Sequence, residues 1–227
     1  MKPMKPILFN TPMTQAIDED RKAATRRLVT PQPIFREGET GTPARLDDGS
    51  WCFKIDQYDN VYEFHLKPKY EPGDILYVRE TWCDPTPDQS GWPILYKAAM
   101  PMHWDAKDTE IGEEVTLKAE DYKWRPSIHM PKEAARIFLR VTAVRMERLK
   151  EITPEDAVAE GAVKKPHYVW YGGEKCLVGH HRYIAAFVDI WNSTIKKEDL
   201  PAYGWDANPW VWVYEFEKIS KEESMKC

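Results

Sequence analysis

Residues 21–27 read Arg21-Lys22-Ala23-Ala24-Thr25-Arg26-Arg27, which puts four cations and one hydroxyl into seven positions. Cations packed this closely at the start of a strand can form a compact anion site, with Arg21, Arg26 and Arg27 as its candidate ligands. Crowded cations disfavour one another's charged forms, which gives Lys22 a route to a lowered pKa and a base role toward the Thr25 hydroxyl. A solvated basic turn has the same composition. An acid meeting the cluster would separate the two readings, and Glu160 is the candidate. It falls in the last turn of a short helix, where the backbone dipole opposes a carboxylate. Partial burial there would suit it to donate or accept a proton near neutral pH, whereas an exposed glutamate would be tolerated at small cost.

Other residues are candidate contacts. Arg79 ends a strong apolar strand and joins Arg21, Arg26 and Arg27 as a possible anion or phosphate ligand. His129, in a proline-flanked stretch, can line the same cleft, although a structural histidine reads the same way. Trp82, Trp124 and Tyr77 can stack on a base, while core packing accounts for most aromatic residues in such a chain. Cys52, Cys83, Cys176 and Cys227 are scattered singly, so structural zinc is not expected. The pair His180-His181 is read as solvated or capping rather than as metal ligands. Neither a metal nor another cofactor is expected.

The elements that must position these residues are legible in the pattern of apolar side chains. Ile7-Leu8-Phe9 reads as a strand, and Thr11-Pro12 as the N-cap and first residue of a helix running to about Asp18. The basic cluster then sits on a turn entering a strand. Trp51–Ile55 and Val61–Leu66 alternate like the arms of a hairpin, and the turn Glu71-Pro72-Gly73-Asp74 leads into the central strand Ile75–Arg79. Residues 83–127 read as an insertion with a small strand at Ile94-Leu95-Tyr96. A long strand follows from Arg136. Thr153-Pro154-Glu155-Asp156 supplies an N-cap, an N1 proline and an acid at N3, with Gly161 as the stop. Ile184, Phe187, Val188, Trp191 and Ile195 form the stripe of an amphipathic helix from about His181, and Trp210–Phe216 is a buried strand. About six strands with two or three helices predict an α+β chain built as a small barrel with helices packed on it.

The chain has 227 residues, 42% of them hydrophobic, enough for one elaborated domain with loop insertions. Its net charge of −5 argues against indiscriminate coating of nucleic acid. Basic character is local to residues 1–30, and residues 105–121 are acidic. No apolar run is long enough to span a bilayer and the start lacks a secretory signal, so no membrane association and a cytoplasmic location are expected.

The segment Arg21-Lys22-x-x-Thr25-x-Arg27 resembles the G-R-K-T-x-T-x-R signature of ASCH domains, within the PUA-like superfamily. Further pieces resemble the family in its order. Glu71–Val78 is similar to the turn and strand G-D-x-L-x-V, Ile152 through Glu160 to the helix after the next strand, and Val211–Phe216 to the terminal strand. These span nearly the whole chain, leaving 83–127 and about 162–180 as extra loops. Val78-Arg79-Glu80-Thr81-Trp82 and Lys123–Pro131 resemble long versions common in bacteriophages and prophages.

The resemblance implies a PUA-like β-barrel that handles RNA or a modified nucleoside. Some small bacterial ASCH proteins are amidohydrolases that remove the acetyl group of N4-acetylcytidine. By that resemblance Thr25 attacks the acetyl carbonyl, Lys22 accepts its proton and Glu160 protonates the leaving amine, with Arg27 binding the oxyanion or a phosphate. A nuclease on the same cleft, a non-catalytic RNA-binding module, and a phage protein that binds a host protein are the competing expectations. The chain departs from the motif twice: Asp20 stands where the family has glycine, and Ala23 where it has the first threonine. An acid at Asp20 is expected to raise the pKa of Lys22.

Overall fold

The computed structural model describes residues 3–35, 41–55, 61–84, 94–99, 103–107, 114–118, 120, 122–163, 168–171, 174–177 and 182–225. In chain order the elements are β1 (Lys5–Leu8), α1 (Thr11–Asp18), β2 (Ala24–Leu28), β3 (Gly41–Arg45), β4 (Trp51–Ile55), β5 (Val61–Leu66) and β6 (Ile75–Arg79). They continue with β7 (Trp82–Cys83), β8 (Leu95–Tyr96), β9 (His103–Lys107), β10 (Glu114–Lys118), β11 (Phe138–Arg148) and α2 (Pro154–Ala159). The last are β12 (Tyr168–Tyr171), β13 (Glu174–Leu177), α3 (Arg182–Thr194), α4 (Leu200–Tyr203), β14 (Trp210–Ile219) and α5 (Lys221–Ser224). The fold is α+β, with a mixed five-stranded sheet ordered β1-β6-β11-β14-β2.

Two compact units divide the chain. The first takes Met1–Asp20, Asp74–Arg140 and Lys218–Cys227, and the second Arg21–Gly73 and Val141–Glu217. In the first, β1 runs parallel to β6, and β6 pairs antiparallel with Phe138–Arg140 of β11. Trp82, Met130, Ala134, Ala135 and Phe138 form its apolar cluster. Arg136 there bridges Glu80 at 2.8 Å and Asp18 at 2.6 Å. The second unit holds the antiparallel pair β14–β2, the three-stranded sheet β3-β4-β5 and the β12–β13 hairpin. Its core joins Leu149, Ile152, Ala157, Phe187 and Trp191 to Val211 and Val213 of β14. A strand that buries side chains on both faces, as β14 does, needs the unbroken apolar run found at 210–214.

Several expectations are met in detail and others are revised. The α2 start is as read: Thr153 Oγ1 accepts from the Asp156 N–H at 3.1 Å, Asp156 accepts from the Thr153 N–H at 3.3 Å, and Gly161 has φ +88°. The start of α1 lies one residue earlier than Thr11-Pro12 implied, because the Asn10 side chain accepts from the Met13 N–H at 3.0 Å. Asparagine ranks above threonine as a cap, and the proline moves to the second helical position. The insertion 83–127 carries the β9–β10 hairpin besides β8, and the loop 162–180 carries β12–β13. Strand β3 was not expected. Pro43 argues against a strand interior, and β3 accommodates it as the edge of its small sheet.

Candidate active site

The site lies in the second unit, where the residues before β2 meet the end of α2. Lys22 and Glu160 form an isolated antiparallel bridge, and the neighbouring Ala23 N–H donates to Ala159 O at 2.8 Å. The same turn is tied to β14, since Phe216 N–H donates to Ala23 O at 2.9 Å. The capped start of α2 and the left-handed Gly161 fix where this helix ends, and so deliver Glu160 to Lys22.

The Lys22 ammonium donates to Ala24 O at 2.7 Å, Glu160 O at 2.9 Å and Glu160 Oε2 at 2.7 Å. These three acceptors match its three N–H bonds. Lys22 and Glu160 are each 3% exposed. Burial depresses the pKa of Lys22. Glu160 pulls it up by charge and hydrogen bond, Arg27 and Arg26 push it down, and burial prevails. Thr25 is also buried, and the carbonyl that Lys22 holds belongs to the peptide bond joining Ala24 to Thr25. Among the described residues no hydrogen bond joins the Thr25 hydroxyl to Lys22 or Glu160.

Arg26 is enclosed, its side chain wholly buried. It donates to Glu147 Oε1 from Nε at 3.0 Å and Nη2 at 2.5 Å, and to Glu160 Oε1 from Nη1 at 3.3 Å. Asp156 lies 3.2 Å from Nη2. Arg145 in turn holds Glu147 at 2.9 Å and Asp156 at 2.8 Å, and bonds Glu215. Arg27 is half-buried opposite Trp212. Burial lowers its pKa, opposed by Tyr70, Glu160 and Tyr214. Tyr70 and Tyr214 pack edge to face at 5.1 Å, and burial pushes both phenols up to about 12. Arg21 is exposed, its Nη1 3.4 Å from Gly161 O.

Lys22, Glu160 and Arg26 therefore converge, and Thr25 and Arg27 share the strand that holds Arg26. Arg79 and His129 belong to the first unit. There Arg79 donates to Ile128 O, and His129 is exposed on the short turn Ser127–His129. Trp82 is core in that unit and Tyr77 packs against the same cluster, whereas Trp124 stands 6.2 Å from Tyr122. The pair His180-His181 lies outside the described residues, among which no group of His, Cys, Asp and Glu could hold a metal ion.

Asp20 occupies the motif's glycine position with φ +54°, the left-handed conformation that glycine adopts most readily. Its carboxylate pairs with Lys218 at 2.6 Å. The acid that raises Lys22 is Glu160, so the expected influence of Asp20 is revised. Sequence reading missed Glu147 and Asp156 as partners of Arg26, and Arg145 as the cation that holds both acids. The spacing Arg145-x-Glu147, two charges on the strand face that begins with the buried Leu139 and Val141, was the available signal.

Among the described residues no helix is long and apolar enough to cross a membrane. No family model, curated protein or solved structure matches the chain.

Proposed function

We propose that the chain is an ASCH-type amidohydrolase on a PUA-like β-barrel scaffold, deacetylating N4-acetylcytidine or a similar modified nucleoside through Lys22, Thr25 and Glu160. The observation that carries this reading is the 2.7 Å contact between Lys22 Nζ and Glu160 Oε2 inside the protein, one peptide unit from Thr25. An ion pair withdrawn from water has lost much of the solvation that favours its charged form. A proton passing from Nζ to Oε2 leaves a neutral amine and a carboxylic acid, the two forms that the reaction requires.

The Thr25 hydroxyl oxygen attacks the acetyl carbonyl, forming a C–O bond while Lys22 takes the hydroxyl proton. Negative charge develops on the carbonyl oxygen, where Arg27 supplies a cation. Collapse of the tetrahedral centre breaks the C–N bond, and the Glu160 acid protonates the departing N4 amine. Water then attacks the acetyl-threonine ester, giving one proton to the Glu160 carboxylate; the C–O bond to Thr25 breaks as Lys22 returns its proton to Oγ1, and acetic acid leaves and ionises to acetate in solvent.

Binding of RNA without catalysis needs free cations and no acid. Lys22 and Arg26 are both engaged by carboxylates, which favours the hydrolytic reading. The resemblance to phage and prophage forms also supports action in the cytoplasm of a bacterial host. Binding to a host protein gains nothing from this site.

Hydrolysis of N4-acetylcytidine, free and within a short RNA, tests the proposal. The wild type is expected to release acetate, Thr25→Val to abolish release, and Lys22→Ala to lower it by about 10²–10⁴-fold. Circular dichroism checks folding, and near-isosteric Thr25→Val is the decisive variant should Lys22→Ala unfold. A folded wild type with no acetate release above background would remove this substrate and favour RNA binding.

A further inference from the structure

Each oxygen of the Glu160 carboxylate faces a different cation. Oε2 meets Lys22 at 2.7 Å and Oε1 meets Arg26 at 3.3 Å. Behind Arg26 the charges continue to alternate, with Glu147 and Asp156 bonded to its fork, Arg145 bonded to both acids, and Glu215 beyond Arg145. The chain of ions joins β2, α2, β11 and β14 within one unit. Its central guanidinium is withdrawn from solvent beside the Phe187 ring, 5.8 Å from the ring centroid. Packing against such a ring could be done by an apolar side chain, with no charge to desolvate.

We infer that Arg26 is a positioning residue that fixes the Glu160 carboxylate and limits how much of its negative charge reaches Lys22, with Glu147 and Asp156 balancing Arg26 itself. The consequence for catalysis rests on the hydrolase reading above. A guanidinium stays protonated in a protein, and its planar fork can hold two acids in fixed directions at once. With Oε1 held by Arg26, only Oε2 of the carboxylate faces Lys22. Without Arg26, the carboxylate is free to turn both oxygens to the ammonium, and one of the two cations that repel it is gone. Among the described residues Glu160 attracts the Lys22 charge, and Arg27 and Arg26 repel it. Arg26 thus holds Lys22 nearer to its neutral, proton-accepting form.

The test is the titration of the Lys22 ammonium by nitrogen-15 NMR of labelled lysine, its signal assigned by its loss in Lys22→Gln. Arg26→Met is expected to raise the midpoint by about one pH unit. Glu147→Gln leaves Arg26 less neutralised and is expected to lower it. Should Arg26→Met fail to fold by circular dichroism, Glu147→Gln carries the test. A role confined to holding the fold predicts no such pair of opposite shifts, so midpoints that move together or stay put overturn the assignment. If the protein hydrolyses N4-acetylcytidine, the rising limb of its pH–rate profile is expected to move with the midpoint in each variant. Because the titration uses no substrate, failure of the hydrolysis assay would leave this result to stand or fall separately.

Discussion

Asp20 holds a backbone conformation that glycine adopts most readily. Its φ of +54° lies where most side chains crowd the following carbonyl, and aspartate enters that region more readily than other non-glycine residues. The pairing with Lys218 is exposed and contributes little to stability. Asp20→Gly is therefore expected to leave the midpoint of urea unfolding nearly unchanged, whereas Asp20→Val costs about 1–2 kcal/mol. An equal loss in both variants would assign the position to its carboxylate instead. Lys22 and Thr25 stood out as a local cluster and Glu160 by its place at the end of a capped helix, and the structure brings Lys22 and Glu160 together. The partners of Arg26 were not legible, since Glu147 lies 121 positions along the chain and only folding brings it near.

The helix α2 is the element that aims Glu160, and its start depends on a reciprocal cap. Burial works against the Asp156 carboxylate, but hydrogen bonds with Thr153 and the charges of Arg26 and Arg145 outweigh it and hold its pKa below the ordinary 3.8. A carboxyl lowered on folding binds fewer protons in the native state than in the unfolded one. Its stabilisation is thus fully present above 3.8 and is lost as pH falls through the lowered value. Asp156→Asn is expected to be less stable than wild type at neutral pH, with the gap closing in acid. Urea unfolding at a series of pH values reads this directly, and a gap independent of pH would show that the charge is not what matters. The caps of α2 and the stripe of α3 were legible because local hydrogen bonding and 3.6-residue periodicity are written in consecutive residues. The N-cap of α1 was displaced by a stronger neighbour, Asn10.

At the scale of the molecule, neither compact unit is a contiguous piece of chain. The first is assembled from three segments and the second from two. A fragment ending at Arg140 retains Lys22 and Thr25 but lacks Glu160, β14 and the strand run from Val141. It is expected to lose the cooperative unfolding transition of the full chain and all acetate release. A fragment that unfolded cooperatively with native near-ultraviolet circular dichroism would show that the first unit needs neither its C-terminal segment nor Val141–Glu217 of the second to fold.

By itself the sequence determined the α+β class, most strands of the sheet, and the helices α2 and α3. Each of these is recorded in short-range periodicity, capping chemistry or a local motif. Only the tertiary structure decided that Lys22 meets Glu160 at 2.7 Å and that Arg26 is enclosed by Glu147, Asp156 and Glu160 rather than open to phosphate. Ion pairing inside a protein depends on which strands lie side by side and how far water is excluded. Strand order and burial are properties of the assembled sheet, and no window of consecutive residues contains them.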